Sequence, residues 1–448
     1  MRTLDGSALE VAAALRDDVA ADYVYMYPPR QAYRPVAAEQ LDAAVVQSLA
    51  RGDALNLYVH VPFCRQICAF CNLYAVASRD EALFDRYVDA VIAEARWYAP
   101  HAAGLPVDTL YLGGGTPSQL SAAQLDRLMS GLERVLDFDR GVVTEVALEA
   151  APDTVTARTL ADYRAVGINR VNLGLQSAAD AELRSIGRRQ DAEAATAAVA
   201  TAVASGFDNV CVDLIYGLEG QTFESWRMSV EAAITLGPPT ICAYALTLRP
   251  RTGYAARGYA AVPATEQYAK YDYAHAALTA AGYAQETHVR WSRAAMGGYV
   301  QKAKHWALGT VLGLGAGARG YLWECDYRCG YSARARMPVL RDWFDRVDRV
   351  GHGRLDGYLM DHDERLRKAT ILGLGHLDRG WARAVLGEDP AERFAAELAA
   401  LEHAGAMTVD ERSVRLTALG HRHRDVVVQA FCSEAVREAV RGHDYNHG

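Results

Sequence analysis

Cysteine is scarce in this sequence, 8 in 448 residues, which excludes the disulfide-dense framework of a small secreted domain. Positive charge is also in deficit: 47 Lys and Arg stand against 55 Asp and Glu, for a net charge of -8. That balance argues against a nucleic-acid-binding surface. No uninterrupted apolar run approaches the length that crosses a bilayer, so no membrane partner is expected. The opening Met1-Arg2-Thr3-Leu4-Asp5-Gly6 lacks the basic-then-apolar order of a secretory signal. There is no internal repeat and no low-complexity linker. A cytoplasmic, reducing location is therefore expected, which leaves thiols free to act as ligands. What the chain does have is apolar mass. At 51% hydrophobic residues it can bury one large domain with additions.

Apolar β-like runs alternate with Ala/Leu-rich helical stretches. Strands are predicted at Leu57 to Val61, Thr109 to Leu112, Glu145 to Glu149, Arg170 to Gly174, Val210 to Ile215 and Ile241 to Leu246. Helices are predicted between them, near 81–97, 122–136, 157–166, 191–205 and 222–236. Such alternation gives a parallel sheet with right-handed crossovers, an α/β fold that can curl into an open or partial barrel. Ligands of such folds meet the C-terminal ends of the strands. Residues 1–50 form an N-terminal arm whose run Asp22-Tyr23-Val24-Tyr25-Met26-Tyr27-Pro28-Pro29-Arg30 is expected to pack on the barrel, with a substrate-lining role as the lesser alternative. The barrel is assigned 51–335. Residues 336–448 read as helices with two short β-like runs around a charged turn at 407–416, a small winged-helix-like unit.

The densest chemical signal is Cys64-Arg65-Gln66-Ile67-Cys68-Ala69-Phe70-Cys71, directly after the first strand. Three thiolates spaced Cys-x3-Cys-x2-Cys can hold three irons of a [4Fe–4S] cluster and leave the fourth open to a ligand. Structural zinc wants a fourth ligand, and the candidates are His60 and the distant Cys325 and Cys329. Gly113-Gly114-Gly115-Thr116-Pro117 ends the second strand, where glycines let backbone amides approach a polar ligand. Cys211 and Cys242 lie in strand-like runs and read as small buried residues. Cys432 reads as packing, with an approach to the active site as the lesser alternative.

Together with Asp213-Leu214-Ile215-Tyr216-Gly217-Leu218-Glu219-Gly220-Gln221-Thr222, these motifs resemble the HemN-like branch of the radical S-adenosylmethionine (SAM) enzymes. The branch includes anaerobic coproporphyrinogen dehydrogenase, HemW haem chaperones and class C methyltransferases and cyclopropanases. The resemblance implies a radical SAM partial (β/α)6 barrel with a HemN-type C-terminal domain, and a cluster held by Cys64, Cys68 and Cys71 whose open iron chelates SAM. It also implies SAM contacts from Tyr58, Phe70, Gly114, Gly115, Thr116, Glu149, Gln176, Arg188 and Asp213, and an external electron donor such as flavodoxin or ferredoxin.

Two departures set the expected subgroup. Leu73 stands where the dehydrogenase carries a fourth cysteine. Gln301-Lys302-Ala303-Lys304-His305-Trp306 keeps only the tryptophan of the chaperones' haem motif. The expectation is therefore a class C alkyl transferase using two SAM molecules, with a specialised metabolite or modified peptide as substrate. A radical made from the first SAM would take hydrogen from the methyl of the second, and the resulting methylene radical would add to an sp2 carbon. Glu286 and His288 are the candidate acid–base groups. The alternative is a tetrapyrrole-directed protein of the same branch, as porphyrinogen or haem enzyme or as haem chaperone.

Overall fold

The computed structural model describes residues 8–443 apart from 20, 22, 294–297 and 332–335. Asp22 of the aromatic arm, and the first seven residues, lie outside the described residues. The centre is an open sheet of 12 strands. In chain order these are β1 Leu55–Val61, β2 Val107–Gly114, β3 Glu145–Ala150, β4 Arg170–Gln176, β5 Asn209–Tyr216, β6 Thr240–Ala245, β7 Ala284–Thr287, β8 Arg290–Ser292, β9 Thr310–Leu314, β10 Arg319–Tyr321, β11 Cys325–Arg328 and β12 Asp356–Leu359. Their spatial order is β12-β11-β10-β9-β1-β2-β3-β4-β5-β6-β8-β7.

From β9 across to β6 every neighbouring pair is parallel. Each of β1 to β5 returns to the next strand through helix, the first being Glu81–Ala102 and the last Phe223–Leu236. A parallel sheet covered by helices reads as nearly continuous apolar strands, and β1, β2 and β5 are buried almost throughout. Helix starts follow local chemistry. Asp80, Ser121, Thr156 and Thr222 each accept a backbone N–H at a helix N-terminus. The six predicted strands and five predicted helices of 57–246 are all present.

The sequence signal stopped too early. β9 lies parallel to β1 on its outer side, and β10, β11 and β12 extend the sheet antiparallel. Helix Arg336–Val350 packs Leu340, Trp343 and Phe344 into the same core as Tyr87 and Val88. The core of the main sheet therefore continues past the expected division at 335.

A second core joins the two chain ends. Val11 and Leu15 of helix Ala8–Arg16, with Tyr27 and Ala32, pack against Leu366, Leu398, Leu401, Val427 and Phe431. The Tyr27 hydroxyl donates to Glu364 at 2.6 Å, and the Val24 N–H donates to Asp425 at 2.9 Å. The arm is thus seated on the C-terminal unit rather than only on the barrel, because its aromatic and apolar side chains find their buried partners there. That unit carries a three-stranded sheet, with Ser413–Leu416 between Leu377–Asp378 and Met407–Val409, among short helices. No helix of the described residues is long and apolar enough to cross a membrane.

Candidate functional site

The cysteine run leaves the C-terminal end of β1 and is tied on both sides. Phe63–Cys64 pairs with Val76–Ala77. The Gly115 and Thr116 N–H groups donate to Val61 and Phe63 carbonyls at 2.9 and 2.8 Å, which docks the glycine loop onto the cysteine loop. The Thr116 hydroxyl reaches the Cys64 sulfur at 3.4 Å. Ala69 N–H donates to Ile186 O at 3.0 Å, and Ala69 O accepts from Tyr254 N at 2.9 Å, so the loop is pinned to two further strand–helix connections.

Burial pushes the Cys64 thiol up to about 11 and the Cys71 thiol up to about 12. Sulfurs so placed stay protonated alone and give thiolates only to a cation that replaces the proton. Among the described residues, the trio of Cys, His or carboxylate donors that converges within 4.8 Å is Cys211, Asp213 and Cys242. The three loop cysteines do not converge in that way, as ligands of one tetrahedral zinc would. His60 is no fourth ligand either: its Nδ1 is 3.0 Å from the Tyr58 hydroxyl and its Nε2 is 2.8 Å from Tyr74 O. Cys325 and Cys329 are buried in and beside β11, where Cys329 Sγ lies 3.8 Å from a Glu94 carboxylate oxygen. Three separated thiols on one loop suit a polynuclear cluster.

The residues expected near SAM gather along the same strand ends. Glu149, at the end of β3, accepts from the Tyr111 hydroxyl at 2.8 Å and from Gly114 N–H at 2.9 Å. Its burial still holds the carboxyl above its ordinary range, with those two donors opposing the shift. Asp213 on β5 is raised well above the carboxylate range by burial, then by Cys242 and Glu149. Gln176 sits at φ 70, and its Oε1 is buried without a protein partner, as is Arg188 Nε. The two side chains flank Gly174, where an added Cβ would meet both, at 2.5 and 3.3 Å. Unsatisfied buried polar atoms around a glycine-lined cradle are what a polar ligand would complete, so the chain's own residues fit cluster and SAM. Tyr58 is engaged with His60 and stacks on Tyr111 at 6.0 Å.

Phe70, Cys71, Glu149 and Asp213 line one cavity of about 520 Å³. Its roof is the arm, from Tyr23 to Gln31, and the C-terminal segment with Val436, Arg437 and Val440. Its wall is Tyr299, Lys302 and Trp306, and their placement has a specific cause. Buried Arg170 bonds Glu145 at 2.9 Å and lies 4.0 Å from the Tyr299 ring. Glu145 in turn accepts from the N–H groups of Val300 and Gln301 at 3.0 and 3.1 Å, at the start of helix Val300–Trp306. Breaking such a buried pair by removing one partner costs about 3–5 kcal/mol.

Glu286 and His288 stand apart from this lining. Glu286 is paired with Arg290 at 2.7 Å and accepts from Ser292. His288 faces a neighbouring cavity of about 320 Å³, with Nε2 3.5 Å from Asp425 and burial lowering its pKa. Sequence reasoning missed Arg170, Arg290, Lys302 and Arg319, which all line the main cavity. It also took Cys211 and Cys242 for packing, whereas both line the cavity, as does Cys432, for which packing was preferred over an approach to the site. For Cys211 a signal existed: it lies two residues before Asp213 on one strand and so shares its face.

Residues 58–233 match the Radical SAM superfamily. The chain is 32% identical to the haem chaperone HemW of Escherichia coli over 287 residues, 63% of this chain and 74% of that one. It is 30% identical to the oxygen-independent coproporphyrinogen III oxidase of Salmonella typhimurium over 432 residues, 90% and 92% of the two chains. The structure of E. coli coproporphyrinogen III oxidase (HemN), a radical SAM enzyme, superposes with a TM-score of 0.79 at 27% identity, covering 96% of this chain and 99% of that one. These likenesses overturn the expected class C methyltransferase or cyclopropanase, and with it the specialised-metabolite or peptide substrate. The two departures that pointed there, at Leu73 and at 301–306, are local. Leu73 is a partly exposed side chain on the cavity lining, while the likeness to the oxidase extends through the arm and C-terminal unit that enclose the cavity.

Proposed function

Because this chain belongs to the radical SAM superfamily, among relatives that include HemW and HemN, we propose that it is a SAM-dependent enzyme acting on a tetrapyrrole that bears carboxylate side chains. One observation carries the substrate class. Lys302 and Arg319 are half-buried cations on the main cavity, and among the described residues neither has a carboxylate within 4.0 Å. Lys302 donates only to Tyr25 O, at 3.1 Å, and Arg319 to the Tyr25 hydroxyl and Met26 sulfur. Half-buried cations that face a cavity without a carboxylate partner suit an anionic ligand there. Tyr111 and Tyr299, stacked on each other at 5.4 Å, and Tyr244 give the cavity an aromatic lining, and the cavity lies in the usual range for ligand pockets.

In this reading Cys64, Cys68 and Cys71 hold the cluster, and Glu149, Gln176, Arg188 and Asp213 hold SAM. When bound, cluster and SAM supply one-electron cleavage of the sulfonium and so a radical able to take hydrogen from carbon. The chain's residues do the rest. Glu149 is preset by Tyr111 and Gly114 N–H to receive a cationic or hydroxyl donor. The arm and C-terminal segment close off water from the strand ends. Lys302 and Arg319 fix the substrate's carboxylates and so its orientation over Phe70 and Cys71. Electrons come from an external donor, as in other radical SAM enzymes. A second SAM, expected only with alkyl transfer, is not part of this reading.

Anoxically reconstituted protein, given SAM and a reductant, is expected to release 5′-deoxyadenosine faster when coproporphyrinogen or haem is added, with a changed tetrapyrrole detected by mass. Tight tetrapyrrole binding without any added SAM cleavage would instead favour haem delivery. No binding of either tetrapyrrole would end the proposal.

Lys302 gives a pH signature. Burial, then Arg290, Arg424 and Arg319, lower its pKa to about 7. Its ammonium is present below that pH and lost above it, and a bound carboxylate pulls the pKa back up. Affinity for a carboxylated tetrapyrrole is therefore expected to fall as pH rises through 7, by about 10–100-fold if one charged hydrogen bond of ~1.5–3 kcal/mol is lost. Lys302→Ala should bind weakly at every pH, and Lys302→Arg should bind without the pH dependence. Titration by absorbance checks both.

A further inference from the structure

Cys211 on β5 and Cys242 on β6 belong to adjacent parallel strands in which Asp213, not Cys211, is opposite Cys242. The two sulfurs meet diagonally across the strands, 3.6 Å apart. Both are buried, and both face the main cavity beside Asp213. Packing alone does not ask for two contacting thiols at the wall of a substrate cavity, since valine or alanine fills a strand interior as well. The trio's donor atoms lie within 4.8 Å of one another, and Arg170 and Arg290 line the same cavity.

We propose that Cys211 and Cys242 form a hydrogen-donating dithiol for carbon radicals generated in this cavity, a role that rests on the radical reading above. The S–H bond is weaker than an aliphatic C–H bond, so a thiol yields its hydrogen to a carbon radical. In the step, the Cys211 S–H bond breaks and a C–H bond forms on the substrate, leaving a thiyl radical on Cys211. The Cys242 thiolate, in sulfur contact, joins it to give a disulfide radical anion. That species passes one electron to an oxidised one-electron carrier of the flavin or iron–sulfur class, leaving a neutral disulfide. An external dithiol then returns two electrons and one proton, restoring one thiol and one thiolate. Charge direction agrees with this division of labour: the hydrogen bond from Cys211 lowers the pKa of Cys242, and the pKa of Cys211 is raised.

Two measurements test the pair. Without any cluster chemistry, an anoxic protein treated with a small organic disulfide is expected to lose two hydrogens in mass and to give a cross-linked peptide joining Cys211 to Cys242, absent in Cys211→Ser and in Cys242→Ser. During turnover in deuterated water, product should carry one solvent deuterium on carbon. Each serine variant, and each alanine variant as a check on folding, should make product at least about tenfold more slowly while still cleaving SAM. The dithiol role fails if the variants keep product and deuterium at the level of the unaltered protein, if no cross-link forms, or if the pair instead retains stoichiometric zinc. If the unaltered protein cross-links but neither binds a tetrapyrrole nor cleaves SAM, the functional reading itself fails and the radical role goes with it.

Discussion

Cys68→Ser protein, purified and reconstituted without oxygen, is expected to lack the brown absorbance of a [4Fe–4S] cluster and to release no 5′-deoxyadenosine above background. The expectation follows from how few ligands the loop has to spare. Three thiols are available there, and the nearby His60 cannot step in, because both its ring nitrogens are engaged. Loss of an outer hydrogen-bond partner of a metal ligand already costs ~10–100-fold in metal affinity or activity. Loss of a ligand itself should exceed that. Folding should persist, because Cys68 is only partly buried on a loop whose neighbours Ala69 and Cys71 keep their backbone bonds. Iron analysis and deoxyadenosine release check the two halves separately. Full iron with normal SAM cleavage in this variant would overturn the ligand assignment.

Gly114→Ala is expected to damage both stability and SAM cleavage. Gly114 sits at φ 114, where a side chain is strained whatever the space. Its N–H is the donor that presets Glu149. A Cβ there would lie 2.6 Å from the His60 ring, and that ring cannot yield, being held by Tyr58 on one side and Tyr74 on the other. Backbone strain of ~1–3 kcal/mol and overpacking of ~1–3 kcal/mol combine to about 2–6 kcal/mol of lost stability. Gly220→Ala is the comparison: φ is +78 there, but nothing lies within 4 Å of the added carbon. Only the left-handed strain of ~1–2 kcal/mol should appear, and SAM cleavage should survive. Denaturant unfolding and deoxyadenosine release on both variants separate a collapsed glycine loop from general fragility.

Local patterns carried much of this. β1 to β6 and the helices between them are legible because a parallel strand buried on both faces is a short apolar run, and the crossover helices begin at capping residues. β9 was not legible, since its register beside β1 depends on a partner more than 240 residues earlier in the chain, as in Asn56 opposite Val311. Glu286 and His288 illustrate the converse. Both have suitable chemistry, but Glu286 is occupied by Arg290 and His288 faces the adjoining cavity.

The sequence by itself determined the trio of loop thiols, the glycine-rich strand end and the α/β alternation, because spacing of two or three residues and short apolar runs are local properties of a chain. Only the tertiary structure decided what closes the site. Tyr25 lies more than 270 residues before Lys302 and Arg319, which it meets, and the 3.6 Å contact of Cys211 with Cys242 joins neighbouring strands at a diagonal. Which side chains meet across such distances is set by strand order and by the docking of the arm on the C-terminal core, and no local run of residues encodes either.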